Sequence, residues 1–277
     1  MRQFFWWTLL IVLIPASVSA HSLFIQSGRH HVHAGKGSPL FFCYGHHFPV
    51  DDAVRRGKLS YIKIISPQSE IRDVSLRDEK CLHSYIVDYD QPGTYVLTAE
   101  TTPGYFTIWH DTKGRKRHSI KPMSAVAKKA ATIDTSLRSS QWAKSYVTCD
   151  APSPVFPGNI GLPLELVPSR DITQVKPGES IEIKVYSNGK PYAGPGYWDA
   201  TYDGFSTQAE DMYIPRTKIE DGIFLLPVDV PGRWFVRFFT KTETAKEFQS
   251  ECRHEKRTAT LVFLVPNERK RPKTDSH

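Results

Sequence analysis

Cysteine is scarce. Cys43, Cys81, Cys149 and Cys252 are the only four in 277 residues, and they stand far apart with no Cys-x-x-Cys pair, so neither a zinc clip nor a dithiol redox site is signalled. There is no Gly-x-Ser-x-Gly, no His-Glu-x-x-His, no Walker-type glycine loop and no dinucleotide fingerprint, which removes the common hydrolase, zincin and nucleotide-binding classes. Carboxylates such as Asp51-Asp52, Asp88 and Asp90 read as turn caps, with Asp51 and Asp52 close enough to His46-His47 to orient an imidazole. After Ile14 no apolar run approaches the roughly 20 residues of a spanning helix. The basic clusters Lys113 to His118 and Arg269 to Lys273 lack regular aromatic interleaving, so nucleic acid is not an expected partner. Peripheral contact with an anionic membrane, through that loop and the tail, is.

What is present begins with an export signal. Arg2 supplies a short positive region, Phe4 to Ile14 an apolar core, and Val18-Ser19-Ala20 the small residues a signal peptidase reads. Cleavage after Ala20 makes His21 the first residue of a soluble periplasmic protein. Only Arg2 leaves as a charged side chain, so the formal charge of +7 falls by one. In an oxidising compartment four cysteines read as disulfides. Three pairings are possible and spacing does not choose among them; the expected one joins Cys43 to Cys81 and Cys149 to Cys252.

The fold expected is all-β, two β-sandwich domains of Ig-like or Greek-key type with little helix. Short aromatic and β-branched runs at Pro39 to Tyr44, Leu59 to Ile65, Cys81 to Val87 and Thr94 to Glu100 alternate with polar turns, which predicts an amino-terminal sandwich over 21–150. Ser124 to Ala131 is one of few places where a helix is expected. Residues 151–162, rich in proline and glycine, read as a linker. Ser180 to Tyr186, the Asn188-Gly189 turn, Tyr197 to Tyr202, Gly222 to Pro227, Gly232 to Phe239 and Thr258 to Val265 predict a second sandwich over 163–266. Pro231-Gly232 echoes Pro92-Gly93, each before an aromatic strand, and 267–277 read as a disordered basic tail.

Eleven histidines carry the candidate chemistry. A first-position His21 offers its α-amine, with a pKa near 8, and its imidazole to one metal ion. The remaining ligands are expected from elsewhere in the fold, among His46, His47, His31, His33 and His110. His31 and His33 share a face of an extended segment, and His46-His47 follow an apolar strand. Nitrogen ligands suit nickel, cobalt, copper or zinc without choosing among them.

The Ala20-His21 junction, Gly45-His46-His47-Phe48, Gly161 to Pro168, and Gly189-Lys190-Pro191 leading to Ala200 through Ser206 together resemble a bacterial family of exported proteins of unassigned function. That family is associated with nickel and cobalt uptake, as a periplasmic component of energy-coupling-factor transporters. The family motif usually reads Gly-His-Pro-Phe, so His46 holds the family's histidine and His47 replaces a proline. The resemblance implies capture of a divalent metal, nickel foremost, and its transfer to the membrane components of such a transporter. A binding protein rather than an enzyme is therefore expected. Two other readings stand beside it: a carbohydrate-binding or adhesion module using Tyr197, Trp198 and Tyr202, and a copper redox enzyme built on a histidine brace with Tyr44, Tyr105 or Trp109 as the axial aromatic.

Overall fold

Strands form where aromatic and β-branched residues alternate between glycine, proline and asparagine turns, and they dominate the computed structural model, which describes residues 21–77, 82–206 and 212–267. In chain order the first half gives β1 (Ser22–Ser27), β2 (His31–Val32), β3 (Lys36–Gly45), β4 (Leu59–Ile65), β5 (Ile71–Asp73), β6 (Ser84–Tyr89), β7 (Gly93–Thr101), β8 (Gly104–Asp111), β9 (Lys116–Ser119) and β10 (Ala130–Cys149). The second half gives β11 (Glu165–Pro168), β12 (Glu179–Ser187), β13 (Lys190–Pro191), β14 (Gly196–Tyr202), β15 (Ile214–Ile219), β16 (Ile223–Val228), β17 (Gly232–Glu243) and β18 (His254–Val265). The expected helix shrinks to one α-turn, α1 (Met123–Val126), because β10 already begins at Ala130.

One sheet runs through both halves of the chain. Its order is β15-β14-β17-β18-β10-β7-β4-β5, with β8 and β9 alongside the first part of β10 and β2 beside its end. The halves meet where β10 and β18 pair in parallel, from Leu137 beside His254 to Ser145 beside Val262. Successive side chains on a strand face opposite ways, so β10 shows what covers each face. Trp142 and Tyr146 join a core with Leu166, Ile183 and Phe224 of the four-stranded sheet β11, β12, β13 and β16. Ala143 and Val147 join Leu23, Phe42 and Val87 of the three-stranded sheet β1-β3-β6 on the other face. The fold is thus all-β, a pair of β-sandwiches sharing a central layer. The three-stranded sheet lies over β4, β7 and β10 and reaches β17 and β18 through Phe24, which packs on Phe235 and Val262. Farther out on that face Tyr197 and Phe239 stay partly open.

The two Pro-Gly turns are alike in geometry: Gly93 enters β7 at φ +134° and Gly232 enters β17 at φ +139°, backbone that other residues rarely adopt. The phrase around Gly161 to Pro168 is also explained. Glu165 is fully buried, accepts the N–H groups of Ile160, Gly161 and Leu162 at 3.0 to 3.1 Å, and meets the Lys144 ammonium at 2.6 Å.

The expected Cys149–Cys252 disulfide is overturned: both thiols are free and buried, as is Cys43. Cys252 sits just before His254, which pairs with Leu137, whereas Cys149 ends β10 twelve residues beyond Leu137. At roughly 3.3 Å per residue that is about 40 Å, far outside disulfide reach. These thiols fill core space as small apolar groups instead. The other expected bridge needs Cys81, which lies outside the described residues.

Candidate functional site

β1 and β3 are antiparallel, with Ser22 opposite Gly45, so the chain entering β1 and the chain leaving β3 emerge at the same end. That pairing brings His21 and His46 together although 25 positions separate them. Their ring centres are 4.4 Å apart with planes at 51°. Two imidazoles bonded to one ion at about 2.1 Å have ring centres within about 6 Å of each other, so the separation fits a shared ion. Tyr44 stacks on His21 at 5.5 Å, nearly parallel, and the Lys58 ammonium lies over the Tyr44 ring at 4.1 Å.

The central sheet holds the start of β1 from behind. Gln141 donates to the His21 carbonyl at 2.9 Å and accepts the Leu23 N–H at 2.6 Å. Thr260 donates to the Leu23 carbonyl at 2.8 Å. Arg237 donates to the Ser22 hydroxyl at 3.1 Å while its other nitrogens grip Asp199 at 2.9 and 2.6 Å. Three strands therefore fix residues 21 to 23, and the His21 ring projects from a rigid base at an exposed position.

The loop bearing His46 is clasped as firmly. Asp51 accepts the backbone N–H groups of His46 and His47, the latter at 2.7 Å, and its carboxylate lies 3.3 Å from His47 Nδ1. Burial raises the Asp51 pKa, but those hydrogen bonds and the His47 imidazole outweigh it and hold the carboxyl below its ordinary range. Gly45 permits the clasp, since a β-carbon there would collide with the Asp51 carboxyl. Phe48 packs between Phe24 and Phe235, and the Tyr44 N–H donates to the Asp52 carbonyl at 3.0 Å. His46 is thereby aimed, and His47 is turned toward Asp51.

The remaining histidines lie elsewhere. His31 pairs with Thr148, seven residues along β10 from Gln141, and His110 pairs with Thr132, nine residues the other way, which is about 20 Å and about 30 Å respectively at 3.3 Å per residue. His33 Nδ1 meets Asp150 at 3.0 Å, and His110 Nδ1 meets Asp134 at 3.2 Å. His30 is buried with Nδ1 at 2.9 Å from the Tyr146 carbonyl, and burial pulls its pKa down to about 4. Among the described residues no group of three or more His, Cys, Asp or Glu side chains is gathered for a metal.

Residues 18–242 match the family model described as "Domain of unknown function (DUF4198)". The chain belongs to that family. The DUF4198 match takes in His21, the Gly45 to Pro49 loop and every strand up to β17. No curated protein matches the chain. Among solved structures, α2-macroglobulin of Escherichia coli activated by porcine elastase is 11% identical at a TM-score of 0.25, over 89% of this chain and 20% of that one. A Salmonella α2-macroglobulin mutant is 10% identical at 0.26, over 90% and 15%. The tandem V-type regions of VCBP3, a v-region-containing chitin-binding protein, are 10% identical at 0.22, over 88% and 100%. This DUF4198 chain spans a fifth or less of the macroglobulins.

Sequence reasoning passed over Gln141, Arg237 and Phe239. Period two along Arg233 to Phe239 puts Arg233, Phe235, Arg237 and Phe239 on one face, and arginines alternating with aromatics in a core strand are the signal that could have found Arg237 and Phe239. Trp198 is no stacking surface: it is buried against Phe224 at 4.2 Å, and as Tyr197's neighbour on β14 it faces the opposite side.

Proposed function

We propose that the exported, processed protein binds one divalent transition-metal ion at its amino terminus, through the amine and imidazole of His21 and the imidazole of His46. The observation that carries this is the 4.4 Å approach of two histidine rings at the one place where a freed amine would add a third nitrogen. The side chains alone supply two donors; cleavage after Ala20 supplies the rest and confines metal binding to the mature periplasmic form. Nickel or cobalt as cargo, and delivery to the membrane components of an uptake transporter, draw on the likeness of the Gly45-His46 and Gly161 to Pro168 phrases to proteins associated with that transport. Copper binds nitrogen donors tightest by raw affinity, so cargo is set by supply and partner rather than by ligand type.

The test is calorimetric titration of protein beginning at His21 with nickel, cobalt, copper and zinc. One equivalent is expected, and His46→Ala should weaken it by tenfold or more while the fold persists. Binding indifferent to His46→Ala, or no binding, contradicts the reading. Tyr44 stacked on His21 favours one second reading, a copper redox enzyme. Copper bound without turnover in the presence of a reductant and oxygen removes it.

A further inference from the structure

Positive charge is gathered at one end of the central sheet. Residues 110–134, from the β8–β9 hairpin through α1 into β10, hold seven lysines and arginines against two carboxylates, Asp111 and Asp134. That is a surplus of five in a mature chain whose whole surplus is six. Asp134 meets His110, and Asp111 takes the guanidinium groups of both Arg115 and Arg117, at 2.8 and 3.3 Å. The five cations left are all lysines: Lys113, Lys116, Lys121, Lys128 and Lys129. Each is exposed, and none forms an ion pair among the described residues.

Little elsewhere in the chain can cancel that surplus. The neighbouring stretch 246–253 is neutral by count, and one of its two carboxylates, Glu251, accepts the Tyr105 hydroxyl. Outside the described residues, 78–81 sums to one negative charge and 268–277 to two positive ones. The two negative charges of 207–211 belong to the loop joining Tyr202 to Ile214. Through Trp234 and Phe263, the strand registers set Tyr202 level with Tyr146. Tyr146 is fourteen residues along β10 from the Thr132 that pairs with His110, or about 45 Å at 3.3 Å per residue.

β9 is the outer edge of this end of the sheet, with Lys116, Arg117 and His118 all exposed, and just beyond it Ile120 is 83% exposed beside Lys121. Arginine forks match single carboxylates, whereas ammonium groups on flexible stems suit a diffuse layer of negative charge. Here the forks are engaged within the hairpin, and the lysines face out with an apolar side chain among them, a pattern that fits an anionic headgroup layer. We propose that the β8–β9 edge, with Lys128 and Lys129, docks the protein on an anionic phospholipid membrane. β1 runs from Leu23 beside Gln141 to Ser27, and His30 beyond it meets Tyr146, so its His21 end is the one nearer the hairpin. A docked hairpin therefore sets that end on the membrane side of the molecule, about 30 Å along β10 from the His110 row. Docking needs no metal, so this proposal and the metal site fail separately.

The experiment is flotation of the processed, metal-free protein with vesicles of equal parts phosphatidylglycerol and phosphatidylcholine, and with vesicles of phosphatidylcholine alone. Flotation is expected only with the first, and added salt should reduce it. Lys113→Glu, Lys116→Glu and Lys121→Glu together should weaken it tenfold or more, and the gentler glutamine set should weaken it by less. A matched change in the tail, Arg269→Glu, Lys270→Glu and Arg271→Glu, should leave most of the binding. Absence of flotation with phosphatidylglycerol overturns the proposal and turns the lysines toward an acidic macromolecule instead. Flotation that the hairpin variants leave unchanged, or that the tail variant alone abolishes, overturns it as well.

Discussion

Two polar clusters pack against β10, and they differ in exposure: one is shut inside the core and the other reaches the surface. At Lys144 and Glu165 the side chains are 2% and 0% exposed, the carboxylate collects three backbone N–H groups, and the ammonium also donates to the Gly158 carbonyl at 2.7 Å. Nothing is left over for a ligand. At His21 and His46 the backbone is held from behind, through Gln141, Arg237, Thr260 and Asp51, while the rings meet each other and His21 stands exposed. The first cluster is closed within the core, the second brings His21 to the surface, and substitution should tell them apart.

The largest effect on stability is expected at the closed cluster. Glu165→Ala leaves a buried ammonium without its partner and should cost about 3–5 kcal/mol in denaturant unfolding, with metal affinity per folded molecule unchanged. Next comes His30, also internal, whose Nε2 is buried with no hydrogen-bond partner among the described residues. Its pKa is lowered from 6.5 to about 4, so the stability it supports is complete above about pH 6.5 and is lost as pH falls toward 4. That is about 3 kcal/mol across the window, and His30→Gln should flatten that part of the curve of unfolding free energy against pH. Gly45→Ala sharpens the comparison from the open side. Pushing Asp51 out of its clasp should cost about 1–3 kcal/mol and weaken metal binding as well, because His46 loses its aim.

Much of the strand pattern was legible, and the failures have physical causes. Leu59 to Ile65, read from its aromatic and β-branched residues, is β4 with the bounds read from its sequence. The long strand β10 escaped notice because its two halves meet different neighbours: Ala130 to Ser139 lies beside β8, and from Gln141 onward both faces are buried. Polar Gln141, Lys144 and Ser145 are interior there, each with a partner, so alternation of apolar and polar residues disappears. The β8–β9 hairpin hid behind the charge of Lys113 to Arg117. At the site, His21 and His46 were each named from local context, but their meeting depends on the β1–β3 register, which spacing alone does not encode. His31, His33 and His110 looked equivalent in sequence because a histidine count carries no distance. The disulfide failed for the same reason: pairing cysteines by domain ignores a strand about 40 Å long between them.

The proposed metal site depends on the amine of His21 as the donor added to the two rings. Calorimetric titration with nickel should therefore be run on protein beginning at His21 and on protein carrying one extra alanine before it, which leaves both rings in place and moves the amine. A loss of tenfold or more in the extended form, at least about 1.4 kcal/mol, is the result expected. Equal affinities would show that the amine takes no part, and with it the account of an amino-terminal metal site would fall.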